Sequence, residues 1–214
     1  LIFVIHLKLY LMFPEINSII SKILTVPIAE EREAHLQELI NYIKRKKETK
    51  QQVVLNFICT HNSRRSQFAQ LWAHIAAAYY KLPITSYSSG VEVTEFNERA
   101  VASVKRFGFE VLHKGTNNPH YSIKFDTYSS PLTLYSKRFD DLIISAPFGV
   151  VMCCAHADEN CPFIPAAEAR IALRYEDPKV FDNTPLEATK YDERSFEIAA
   201  ELFYVFKRVK ENQE

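Results

Sequence analysis

The stretch VVLNFICTHNSRRSQFAQLW, Val53 to Trp72, decides how this chain is read. Its first part, Val53 to Ile58, is short, largely apolar, β-prone and free of charge, the pattern of a strand buried inside a parallel sheet. Further on, Phe68, Leu71, Trp72 and Ile75 recur at helical spacing. The residues between them, Cys59 to Ser66, therefore turn a strand into a helix. Such a turn is an anion site, because successive backbone N–H groups converge on one point and the helix dipole adds partial positive charge there.

Cys59 stands first in that loop and Arg65 follows in the spacing C-x5-R. A sulfur held beneath the anion cradle is placed for nucleophilic attack. The planar fork of Arg65 matches two oxygens of a tetrahedral oxyanion and can hold them as the centre becomes trigonal bipyramidal. Ser66 is expected to donate its hydroxyl to the Cys59 sulfur. Asn62 is among the few non-glycine residue types that tolerate a positive φ in so tight a loop. The oxyanion cradle is thus expected to run through Thr60, His61, Asn62, Ser63, Arg64 and Arg65.

CTHNSRRSQ resembles the phosphate-binding loop of the low-molecular-weight protein tyrosine phosphatase superfamily, which includes the thioredoxin-coupled arsenate reductases. The resemblance implies an α/β fold with a Rossmann-like parallel sheet flanked by helices. Two departures bear on substrate preference. His61 stands where the family loop often has Gly, and Arg64 stands where some arsenate reductases have Cys.

A second thiol site lies in VVMCCAHADENCPFIP, Val150 to Pro165. Cys153 continues an apolar strand and suits the core. Cys153, Cys154, His156 and Cys161 form a zinc set only poorly, since adjacent cysteines chelate badly, so no metal is expected. Cys154 and Cys161 instead match the C-x6-C-Pro pair of the arsenate reductases. That likeness implies a relay: Cys59 takes up arsenate, Cys154 attacks the Cys59 sulfur, Cys161 attacks Cys154, and thioredoxin or another thiol reduces the resulting disulfide. After the strand-like Arg170 to Tyr175 comes Asp177-Pro178, and the family's Asp-Pro loop carries the general acid. An aromatic residue commonly follows in tyrosine phosphatases; Lys179 follows here, which favours a small inorganic oxyanion over an aryl phosphate.

The remaining sequence sets limits. In 214 residues, 26 Lys and Arg balance 26 Asp and Glu, which leaves no basic footprint for nucleic acid. A chain of this length builds its own core, so four cysteines point to thiol chemistry in a reducing compartment, the cytoplasm, rather than to a disulfide scaffold. Leu1 to Phe13 is apolar but too short to span a bilayer, and it lacks the features of a secretory signal, so no membrane partner is expected. Since the first Met is Met12, Leu1 to Leu11 reads as upstream translation.

Two amphipathic helices separated by Pro27 are expected before residue 50, which divides the chain into an N-terminal extension, 1–50, and a catalytic domain, 51–214. Pro83 to Gly90 reads as the second strand, Asn97 to Phe107 as a helix stopped by Gly108, and Leu186 to Lys210 as a closing helix. Between Lys114 and Phe148 the family likeness fails, and Tyr121 to Asp126 with Leu132 to Tyr135 suggests an inserted hairpin. Only four Gly and no glycine-rich loop argue against a dinucleotide site, so no bound cofactor is expected. Three functions remain: an arsenate reductase, a phosphatase acting on phosphotyrosine through the same loop, and a non-enzymatic oxyanion or phosphopeptide sensor.

Overall fold

A computed structural model describes residues 12–211, so Leu1 to Leu11 falls outside the described residues. In chain order the elements are α1 (Pro14–Ile23), α2 (Glu30–Glu48), β1 (Val53–Cys59), α3 (Arg65–Tyr80), β2 (Ile84–Gly90), α4 (Glu98–Arg106) and β3 (Glu110–Lys114). There follow β4 (His120–Lys124), β5 (Leu132–Leu134), β6 (Phe148–Met152), α5 (Ala155–Asn160), β7 (Ala167–Ala172), a 3-10 turn (Pro178–Phe181) and α6 (Glu187–Glu211).

Four strands form a parallel sheet in the order β2-β1-β6-β7. Strand β1 is central and buried at every residue, as its uncharged sequence requires. Its one polar side chain, Asn56, exchanges hydrogen bonds with Ser89 of β2 at 3.0 and 3.2 Å. The sheet is flanked by helices, and α3 and α6 pack extensively on each other. Between them Trp72 is fully buried, edge-on to Phe107, Phe109 and Phe203, and its indole N–H is satisfied by Ser195 Oγ at 2.9 Å. The expected α/β architecture with a parallel sheet flanked by helices is the observed one.

Helix α4 has the signals read from its sequence. Asn97 caps it by accepting from the Arg99 N–H, and Gly108 follows its last turn at φ +90°, the left-handed position that glycine fills without strain. Strand β7 begins three residues earlier than the expected Arg170 start. The pairing nonetheless runs on beyond it, since the Leu173 and Tyr175 N–H groups still bond to the Met152 and Cys153 carbonyls.

The N-terminal helices share the core of the sheet. Ile16, Ile20 and Ile23 of α1 and Leu36, Leu39, Ile40 and Ile43 of α2 are buried in the same cluster as β1. Tyr42 of α2 lies against Gly149 of β6 so closely that a Cβ there would sit 2.7 Å from the ring. The same helix is tied to β7 through Glu168, which accepts from Tyr42 Oη at 2.7 Å and pairs with Lys46 Nζ at 2.6 Å. Arg32 adds a two-pronged pair to Glu201 of α6, both contacts at 2.7 Å.

The inserted hairpin is present as β4 and β5, and β3 joins it to form an antiparallel sheet in the order β3-β4-β5. The sequence pattern missed β3 because only Val111 and Leu112 of Glu110–Lys114 are large and apolar, and the strand is mostly exposed.

Candidate active site

The site lies where β1 ends and α3 begins. Cys59 is the last residue of β1, its Sγ is 3.0 Å from Ser66 Oγ, and both side chains are buried. Asn62 holds the curl of the loop. It adopts φ +46°, donates through Nδ2 to Ser66 Oγ at 2.8 Å, and accepts the Lys137 N–H on Oδ1 at 3.0 Å. The loop backbone is also pinned from outside: the Ser63 carbonyl accepts the Asn97 N–H at 3.0 Å, and the Thr60 carbonyl accepts the Glu92 N–H at 2.9 Å.

Arg65 opens α3 and reaches across to the segment after β7. Its Nη1 donates to the Tyr175 carbonyl at 3.0 Å and its Nη2 to Asp177 Oδ2 at 2.7 Å. A further donor, Nε, is buried with no partner. A buried guanidinium N–H left unsatisfied is costly, and an oxyanion is the kind of group that would satisfy it. Asp177 caps the 3-10 turn by accepting the Lys179 N–H at 3.1 Å, which fixes its carboxylate beside the loop.

Of the expected cradle residues, Arg64 and His61 turn their side chains elsewhere. Arg64 Nε donates to Tyr191 Oη at 2.7 Å, and Nη2 lies 3.6 Å from Asp182. Tyr191 Oη passes the link on by donating to Asp182 Oδ1 at 2.7 Å. The Arg64 side chain is thus committed to the segment that carries Asp177. His61 Nε2 lies 3.1 Å from Glu92 at a partly exposed edge.

The second thiol site touches the first. Thr60 Oγ1 lies 3.5 Å from Cys154 Sγ and 3.3 Å from His156 Nδ1. Cys154 caps α5, accepting the Ala157 N–H on its sulfur at 3.4 Å. Cys161 ends the same helix, so the structure does not bring the two cysteines together. All four cysteines are free and buried. Burial pushes the Cys161 thiol up, against the nearby Arg170 cation, whose Nη1 donates to the Cys161 carbonyl at 3.3 Å. Burial, with Cys59 and Cys154 close by, also raises Cys153 well above the usual thiol range, which suits a core thiol. Among the described residues no group of three or more His, Cys, Asp or Glu is arranged to hold a metal ion.

The sequence reading missed the brace behind the loop. Residues 135–139, in the region where the family likeness failed, run beside the site: Gln67 Nε2 donates to the Tyr135 carbonyl at 2.8 Å, and Ser136 Oγ donates to the His61 carbonyl at 2.8 Å. The Gly90 N–H donates to the Lys137 carbonyl at 2.8 Å, and the Phe139 N–H returns a bond to Gly90 at 3.0 Å. Gly90 carries no side chain because a Cβ would sit 2.7 Å from the Asn62 nitrogen and 2.8 Å from the Thr60 oxygen. Such long-range partners leave no local signal. Gly90, ending the second strand in a chain with four glycines, was the one available hint.

This fold is shared with a solved low-molecular-weight phosphotyrosine phosphatase from Vibrio cholerae, at TM-score 0.50 and 13% identity over 75% of this chain and 98% of that one. No family model matches the chain. Among curated proteins, an arsenate reductase of Staphylococcus aureus is 31% identical over 123 residues, 57% of this chain and 76% of the relative. Another, from Halalkalibacterium halodurans, is 27% identical over 131 residues, 61% of this chain and 78% of the relative. With that identity and coverage, the chain belongs to the arsenate reductase family.

Proposed function

We propose that the protein reduces arsenate to arsenite through three of its thiols. The observation that carries this reading is the junction at Thr60, which sets Cys154 against the loop of Cys59 in a chain whose Arg65 keeps one buried donor unsatisfied. A phosphatase needs only Cys59 and has no use for a second thiol held at that place.

The geometry supports the following roles. Cys59 thiolate, steadied by the Ser66 hydroxyl, attacks arsenic while Arg65 and the loop N–H groups hold the remaining oxygens. Asp177 protonates the departing oxygen. Cys154 thiolate then attacks the Cys59 sulfur, and the electron pair of the sulfur–arsenic bond stays with arsenic, which leaves as arsenite. Cys161 thiolate attacks Cys154 and releases Cys59, so each arsenite formed leaves one Cys154–Cys161 disulfide.

This last exchange requires α5 to open. The two cysteines cap a six-residue helix at opposite ends, which separates them by roughly 10 Å along its axis. A disulfide needs Cα atoms within about 7 Å. Unwinding α5 carries Cys161 inward and presents the finished disulfide to an external dithiol such as thioredoxin. No helix among the described residues is long and apolar enough to cross a membrane. The four free thiols favour the reducing cytoplasm. The catalytic residues all lie within 51–214, which supports reading that stretch as the catalytic domain and 1–50 as an N-terminal extension whose helices α1 and α2 pack into its core.

Single turnover tests the reading. Fully reduced protein mixed with stoichiometric arsenate, without thioredoxin, is expected to release one arsenite and lose two thiols, and Cys154→Ser is expected to do neither. Hydrolysis of an aryl phosphate through Cys59 with no loss of thiols would make the protein a phosphatase instead.

A further inference from the structure

The relay needs a base that it has not yet been given. Cys154 must reach the Cys59 sulfur as a thiolate, yet it is buried and no cation or carboxylate hydrogen-bonds to its sulfur. Its sulfur contacts are the Ala157 N–H at 3.4 Å and the Thr60 hydroxyl at 3.5 Å. The same hydroxyl lies 3.3 Å from His156 Nδ1, and His156 stands at the exposed first turn of α5.

We infer that His156 takes the Cys154 proton through the Thr60 hydroxyl. In the imidazole tautomer carrying its proton on Nε2, Nδ1 accepts from Thr60 Oγ1, and Thr60 Oγ1 accepts from the Cys154 thiol. Transfer along this chain moves the thiol proton to Thr60 and the Thr60 proton to Nδ1. It leaves Cys154 thiolate, neutral Thr60 and imidazolium, and the exposed ring then returns its proton to water. No electron moves in this step, and the later transfer to arsenic is unchanged. The inference rests on the proposed relay and adds a positioning and proton-accepting residue to it.

Other groups around the chain stay in place in every variant used below. Arg174 lies near Cys154 on the segment after β7 and is itself paired with Asp158 at 2.6 Å and Glu159 at 3.4 Å. Cys153 lies behind Cys154 as a protonated core thiol.

His156→Gln removes the titrating base while keeping a polar side chain. In single turnover, thiol loss in this variant is expected to slow roughly tenfold at neutral pH, a small general-base effect because free thiols are already partly ionised there. The pH profile of thiol loss is expected to lose one inflection, and the variant should approach the wild-type rate at alkaline pH, where hydroxide removes the proton directly. Imidazole in the buffer should restore His156→Gly and fail to restore Thr60→Val, in which the chain is broken at its middle. An unchanged profile in His156→Gln, or a loss that imidazole does not repair in His156→Gly, overturns the inference.

A second readout does not need arsenate. The rate at which iodoacetamide alkylates Cys154, read by peptide mass spectrometry against pH, should show the same dependence on His156. If the wild-type protein forms no arsenite, the proposed function fails, and the alkylation profile still decides whether His156 serves Cys154.

Discussion

Arg65 Nη2 and Asp177 Oδ2 stand 2.7 Å apart, so the arginine that would clamp the substrate is held by the residue that would protonate it. An arriving oxyanion must share that guanidinium with the carboxylate. Asp177→Asn is therefore expected to act in two directions. Arsenite formation in single turnover should fall by about 10²–10⁴-fold as the proton donor is lost. Phosphate, a non-reducible competitor, should bind more tightly by calorimetry because a charged rival for Arg65 has gone. Weaker phosphate binding in the variant would mean that the carboxylate does not compete.

The Arg64–Tyr191–Asp182 chain holds the same segment from the other side. Tyr191 is fully buried, and burial together with its bond to Asp182 raises its phenol above the ordinary range, so it stays protonated and works only through hydrogen bonds. Tyr191→Phe removes the shared hydroxyl at little cost in volume. Loss of about 1–3 kcal/mol in urea denaturation is expected, with a lowered kcat from a less well held Asp177. A normal kcat would show that Arg65 alone suffices to place Asp177.

Gly90→Ala tests how tightly the loop is packed. The new methyl would meet backbone atoms of Asn62 and Thr60 at 2.7 and 2.8 Å, and backbone cannot swing aside as a side chain can. Overpacking of this kind costs about 1–3 kcal/mol, and both stability and arsenite formation should fall. Retention of full activity would mean that the loop has slack.

Lys137 gives the pH test. Burial brings its ammonium down to about 8 from 10.5, while Nζ keeps a bond to the Tyr135 carbonyl at 3.1 Å. Below pH 8 the folded protein carries the whole penalty of a buried charge. Between pH 8 and 10.5 the unfolded chain binds more protons than the folded one, so this residue's penalty shrinks as pH rises. Lys137→Met should therefore stabilise the protein at pH 7 by about 3 kcal/mol, and the gain should fade toward pH 10. A gain that grows with pH would contradict the sign.

Much of this was legible in the sequence for local reasons. Val53 to Ile58 announced a buried strand because it carries no charge, Asn97 and Gly108 bracketed α4, and the C-x5-R spacing placed Cys59 and Arg65 on one loop. What stayed hidden depends on distance. Arg64 finds Tyr191 127 residues away, and Thr60 meets His156 96 residues away. No periodicity reports such meetings. The N-terminal helices read as an extension because amphipathicity fixes which face is apolar and not what it will cover. Tyr42 against Gly149, and Lys46 paired with Glu168 of β7, reveal that it covers the sheet.

The bonds from Ser136 and Lys137 to the catalytic loop, with the Tyr135 carbonyl held by Gln67 just behind it, change what can be lifted out of this protein. The catalytic motif reads as a contiguous word of the sequence, yet its shape is completed by a splint more than 70 residues downstream. Trimming 115–148 to obtain a minimal enzyme would remove the splint along with the hairpin. Grafting CTHNSRRS onto another strand and helix would carry the chemistry without its scaffold. The smallest portable unit is discontinuous: the loop, Gly90 and residues 135–139, moved together.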